Sequence, residues 1–114
     1  MIRNLTGNSL IAEKEHFYVK FFERLQGMIG KDFSKDMDCM IFPFCNSIHM
    51  FFMARELDVI FLDRENRIVK TLTAKPWRIY SGGRRTVKVL ELPPGTFRKT
   101  PCAPGDKLEL DAER

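Results

Sequence analysis

Four side chains able to move protons or hold a ligand stand inside apolar stretches of this sequence. They are His49 in Ser47-Ile48-His49-Met50-Phe51-Phe52-Met53, Asp58 in Leu57-Asp58-Val59-Ile60-Phe61-Leu62, Glu91 in Val89-Leu90-Glu91-Leu92, and Trp77 between Lys75-Pro76 and Arg78. A polar group within an apolar pattern is informative because it must be satisfied there. The His49 imidazole suits proton transfer or ligand binding; the plainer role is a core histidine bonded to a carbonyl. An unpaired buried carboxylate costs several kcal/mol. Asp58 is therefore expected beside a cation, on backbone N–H groups or protonated, most simply capping the turn Ala54-Arg55-Glu56. Glu91 is expected to reach the rim of the fold or to pair with an arginine such as Arg24. The Trp77 indole either plugs one end of the core or floors a pocket by stacking.

These groups do not read as one catalytic relay. A hairpin joining Ser47–Met53 to Leu57–Leu62 through a three-residue turn places His49 and Asp58 on opposite faces. With one more turn residue they share a face, but stay about 13 Å apart along the strands at roughly 3.3 Å per residue. Metal and nucleophile chemistry has weaker support. Cys39, Cys45 and His49 give C-x5-C-x3-H, with Cys102 as a conceivable fourth ligand, a spacing that matches no compact zinc knuckle. G-x-S-x-G, H-E-x-x-H and P-loop motifs are missing, and Gly82-Gly83 precedes no helix that would cradle phosphate. No metal or cofactor is expected. The cations Arg84, Arg85, Lys88, Arg98 and Lys99 read as a solvated face, because the aromatics follow the apolar pattern and are not interleaved with them. Nucleic acid is accordingly not the expected partner.

The elements that must position these groups are mostly strands. The chain has 114 residues, is 44 % hydrophobic and 30 % charged, and carries a net charge of +4, values that fit one folded domain over residues 1–114. Ten phenylalanines against one tryptophan point to a dense core. Tyr18, Phe21, Phe22, Leu25, Met28 and Ile29 make one stripe of a short amphipathic helix that ends near Gly27 or Gly30. Strands are predicted at Met1–Leu5, Ser9–Glu15, Cys39–Phe44, Ser47–Met53, Leu57–Leu62, Arg67–Thr73, Thr86–Leu92 and Lys107–Leu110, separated by turn residues. Ser47–Met53 and Leu57–Leu62 are apolar on both sides and read as central, with the helix as cover. Lys107–Leu110 alternates and reads as an edge strand, open to weak dimerisation. The fold class is mainly β: an antiparallel sandwich or partly closed barrel with one short helix packed on it.

Met1 to Glu13 has no apolar core of a secretory signal, and Met50–Ala54, the longest apolar run, is far short of the roughly 20 residues of a spanning helix. Three cysteines in a chain of this size read as free thiols. A cytoplasmic protein without membrane contact is expected.

Several segments resemble one family. Arg24-Leu25-Gln26-Gly27-Met28-Ile29-Gly30, Ser47-Ile48-His49-Met50-Phe51-Phe52-Met53, Leu57-Asp58-Val59-Ile60-Phe61-Leu62-Asp63, Pro76-Trp77, Val89-Leu90-Glu91-Leu92-Pro93-Pro94-Gly95 and Gly105-Asp106 are similar, in order, to the motifs of the small bacterial and archaeal domain of unknown function 192. The resemblance spans about Ser9 to Leu110. It implies a jelly-roll-like β domain, brings no activity, and draws attention to Arg24, His49, Asp58, Trp77 and Glu91. Ile29 and Pro94 depart from its usual pattern, and the cysteines belong to none of its motifs. Two functions follow. The first is a small-ligand or interaction module with a pocket near His49 and Trp77, lined by Arg24, Asn46, Ser47 and Arg78. The alternative is a hydrolase or isomerase using His49 with Asp58 or Glu91 as acid and base.

Overall fold

The computed structural model describes residues 1–18, 33–51 and 53–113. Its strands are β1 (Ile2–Asn4), β2 (Ser9–Ala12), β3 (Glu15–Phe17), β4 (Cys39–Pro43), β5 (Ser47–His49), β6 (Leu57–Leu62), β7 (Ile68–Ala74), β8 (Ile79–Ser81), β9 (Lys88–Leu92) and β10 (Leu108–Leu110). A one-turn helix at Thr96–Lys99 and a 3-10 turn at Asp111–Glu113 complete the described elements. The predicted helix stripe lies, beyond Tyr18, outside the described residues, and so does Arg24.

The strands form a five-stranded sheet in the order β3-β4-β9-β6-β7, a three-stranded sheet β10-β1-β2 and a two-stranded ribbon β5-β8. The pattern is antiparallel except where β3 runs parallel to β4, a departure from the all-antiparallel expectation. Strands β4, β6 and β9 are buried at every position. Strands without a polar face need cover on both sides, and the packing supplies it. Ile41, Ile60, Leu62, Leu90 and Leu92 on one face pack with Ile2, Ile11, Leu108 and Leu110 of the three-stranded sheet. Met40, Phe42, Val59, Phe61 and Val89 on the other pack with Ile48 of β5, Met50, Tyr18 and Met37, with Tyr80 of β8 lying against them. The ribbon thus gives part of the cover that the sequence assigned to a helix.

Alternation correctly divides β6, with Leu57, Val59 and Phe61 on one face and Ile60 and Leu62 on the other. The expected hairpin between β5 and β6 does not form. β5 is three residues long, and its partner is β8, through Ser47↔Ser81, Ile48↔Tyr80 and His49↔Ile79. β6 instead lies between β7 and β9. β10 is not an open edge along its whole length, since Leu108 N–H donates to the Asn66 carbonyl at 2.9 Å. Gly82 lets β8 close onto the core: a Cβ there would stand 2.4 Å from both Phe61 Cδ1 and Thr86 Oγ1. Among the described residues no helix is long and apolar enough to cross a membrane.

Candidate functional site

The ribbon turns one side to the core and the other to solvent. Period-two alternation sends Ile48 and Tyr80 inward, where Ile48 is buried, and leaves Ser47, His49, Ile79 and Ser81 exposed. The pairing continues past β5, because Met50 N–H donates to the Arg78 carbonyl and Trp77 N–H to the Met50 carbonyl, both at 2.7 Å. These bonds bring Trp77 to the end of the ribbon that carries Phe51. The His49 and Phe51 rings stack with centroids 5.2 Å apart, and Phe51 meets Trp77 at 6.3 Å in a tilted contact. Trp77 is 60 % exposed, Ile79 66 % and Phe51 36 %, while Phe44, just before the ribbon, is 87 % exposed.

Backbone conformation marks the same region. Among the described residues, the non-glycine positions with positive φ are Asn8, Asn66, Phe44 at 57° and Trp77 at 66°. Asparagine enters the left-handed region readily; a bulky aromatic pays about 1–2 kcal/mol to do so. Both strained aromatics are exposed and flank the ribbon, a coincidence typical of functional surfaces.

His49 is therefore not the core histidine the sequence suggested. Its strand is the outer ribbon, and Ile48 rather than His49 faces inward. Trp77 does not plug the core; its ring stacks in the open. Asn46, Ser47 and Arg78 are exposed on the same ribbon. Among the described residues these groups share one exposed face. A separate depression of about 340 Å³ lies at the start of the chain, lined by Met1, Arg3, Asn4, Leu5, Asn8, Ser9 and Leu10.

The carboxylates belong elsewhere. Asp58 pairs with Leu92 and its neighbour Val59 with Glu91, so Asp58 and Glu91 point from opposite faces of the five-stranded sheet. Asp58 accepts Thr73 Oγ1–H at 2.8 Å and Phe97 N–H at 2.9 Å. The second bond caps the Thr96–Lys99 helix, whose own N-cap, Gly95, has no side chain to do so. Asp58 thus does collect a backbone N–H, but at this helix and not at Ala54–Glu56. Glu91 is buried between Met40 and Val59 on neighbouring strands, away from any rim, and its Oε2 has no hydrogen-bond partner among the described residues. Desolvation pushes its carboxyl up from the usual 4.5 to about 7. His49, Asp58 and Glu91 hence do not converge. Cys39, Cys45 and Cys102 are free thiols, with burial raising Cys39 strongly and Cys102 to about 11. Among the described residues no group of three or more His, Cys, Asp or Glu could hold a metal ion.

The sequence reading passed over Phe44, Phe51 and Ile79. One signal was available: residues 44–55 and 75–85 contain no Asp or Glu, although the chain has 15, and they carry Arg55, Lys75, Arg78, Arg84 and Arg85. All five cations are exposed.

Layered open sheets with an exposed aromatic ribbon define a small, mainly β protein, and the comparisons give its family. The chain belongs to the DUF192 family, described as "Uncharacterized ACR, COG1430", whose model matches residues 11–110. It is 30 % identical over 112 residues to a UPF0127 protein of Pyrococcus furiosus, covering 93 % of this chain and 94 % of that protein. UPF0127 proteins of Pyrococcus abyssi and Thermococcus kodakarensis are each 43 % identical, over 63 and 62 residues, about 55 % and 54 % of this chain. Those matches span 54 % and 40 % of these two relatives, about half their length or less. Among solved structures, a Sinorhizobium meliloti protein described as a putative transcription regulator has TM-score 0.78 and 24 % identity over 95 % of this chain and 88 % of its own. A Novosphingobium aromaticivorans protein of unknown function has TM-score 0.70 and 23 % identity over 84 % and 74 %. At such identities the two likenesses bear on the fold alone.

Proposed function

We propose that the chain is a single-domain binding module, jelly-roll-like in its layering, which takes its ligand on the outer face of β5 and β8. The observation that carries this reading is the run of exposed rings His49, Phe51 and Trp77, held at 5.2 and 6.3 Å, with Trp77 in a strained backbone conformation. Exposed aromatics at this spacing offer flat apolar surface to a ligand ring, and Asn46, Ser47 and Arg78 supply hydrogen bonds beside it. The free thiols suit a reducing compartment, and we place the protein in the cytoplasm. An enzyme using His49 with Asp58 or Glu91 has no comparable support, since the three groups face different environments.

Trp77 is the one tryptophan in the chain, so its emission reports on this face alone. Neutral sugars, nucleotides and small organic acids are titrated while following Trp77 fluorescence and thermal unfolding. The expected outcome is at least one compound that both shifts the emission and raises Tm. A panel that moves neither overturns the reading.

A further inference from the structure

The cations around the ribbon differ from two ion-paired cations among the described residues, Arg3 and Lys88. Arg3 is paired with Glu109 and Asp111, and Lys88 with Glu113. Among the described residues, Lys75, Arg78, Arg84 and Arg85 form no ion pair. Lys75 and Arg78 stand at the Trp77 end of the ribbon, while Arg84 and Arg85 follow β8 at the end where Ser81 pairs with Ser47. Lys70 adds a cation there, donating to the Ser81 carbonyl at 3.0 Å. In the sequence, aromatics and cations look separate; the pairing of β5 with β8 brings them onto one lobe, with positive charge at both ends, Phe51 and Trp77 at the Arg78 end and His49 towards the middle.

That arrangement is the one that recognises a strand of unpaired bases. Cations track the phosphates while exposed rings stack on bases, and stacking needs base faces that a duplex hides. A duplex reader would need an element that enters a groove, and the ribbon presents only two three-residue strands. Building on the binding face argued above, we propose that its ligand is single-stranded nucleic acid. Bases stack on Phe51 and Trp77, and phosphates lie against Lys75, Arg78, Arg84 and Arg85.

The test is fluorescence anisotropy of a labelled single-stranded oligothymidine with the full chain, together with a matching duplex, heparin and neutral sugars. Four phosphate contacts give a log–log salt slope of about −2.8, so affinity should fall about 50-fold from about 50 to about 200 mM salt. Arg84→Gln with Arg85→Gln should reduce that slope by about 1.4. Trp77→Ala should weaken binding by about tenfold or more with the slope kept, as loss of one stacked base requires. Circular dichroism establishes that each variant is folded, and Arg98→Gln, a cation away from the ribbon, should bind as the parent does. Tighter binding of duplex or heparin than of the oligonucleotide overturns the proposal. Quenching of Trp77 by a neutral sugar without oligonucleotide binding also overturns it, but leaves the binding face standing. Oligonucleotide binding that is indifferent to both the Trp77 and the arginine variants contradicts the proposal and the binding face together.

Discussion

Phe61, on β6 of the five-stranded sheet, and Trp77, at the entrance to β8, are both large aromatics with apolar residues near them in sequence. Phe61 is completely buried, packed with Val59 and Val89; Trp77 is 60 % exposed with its backbone in the left-handed region. The contrast extends to charge. Lys88 on β9 is buried, but meets Asn66 Oδ1 at 2.7 Å and the Glu113 carboxylate, whereas the ribbon cations face solvent with no carboxylate on their own segments. The buried Asp58 and Lys88 of the sheet are partnered, whereas Glu91 Oε2 has no partner among the described residues, and the ribbon leaves its rings and charges turned outward. The proposed binding face and the stabilising core thus fall in different layers.

The largest test of that division is Phe61→Ala, which empties a fully buried site and should cost about 3–5 kcal/mol in urea unfolding. Trp77→Ala should change stability by no more than about 0.5 kcal/mol, as for a surface position. Equal losses at the two sites would erase the contrast.

Next in size is Glu91, the buried carboxyl of β9. Its folded value of about 7 lies above the usual 4.5, so the protonated form is the one the fold favours. Its contribution is complete below pH 4.5 and is lost as pH rises to about 7, a change of roughly 3 kcal/mol. Stability of the parent should therefore fall across that window relative to Glu91→Gln, which has no proton to lose. Parallel pH profiles for the two proteins would contradict the raised value of the buried Glu91 carboxyl.

Asp58→Ala should cost about 2 kcal/mol, because the half-buried Phe97 N–H and the Thr73 hydroxyl lose their acceptor. Hydrogen exchange at Phe97 should accelerate with it; unchanged exchange would remove the capping role. The smallest effect concerns the strained backbone of the ribbon region. Phe44→Gly should raise stability by up to about 1 kcal/mol, since glycine takes positive φ without steric penalty. A loss of stability there would show that the Phe44 ring contributes more than its backbone strain removes.

The central sheet was legible in the sequence because alternation is local. Leu57 to Leu62 states its two faces within six residues, and the family motifs fall on those strands. Asp58 was legible in kind, since a carboxylate there must find donors. Its partner, Phe97, lies 39 residues away and leaves no mark near it. The ribbon was misread for the same reason. Ser47–Met53 looks like a central strand until its register with β8, more than 30 residues on, shows which side faces out. Trp77 stands out in the sequence as the one tryptophan, but only the pairing carries it to Phe51. The absence of acids from residues 44–55 and 75–85 was readable throughout. It acquires meaning only when those two segments are known to be neighbours.

The claim that the β5–β8 face binds is tested most directly by mapping amide chemical shifts as single-stranded oligothymidine is added to the isotope-labelled protein at low salt. Shifts are predicted to gather at residues 46–51 and 75–85, with β6 and β9 unmoved. Shifts centred on the depression near Arg3 and Leu10, or spread evenly over the surface, would contradict it.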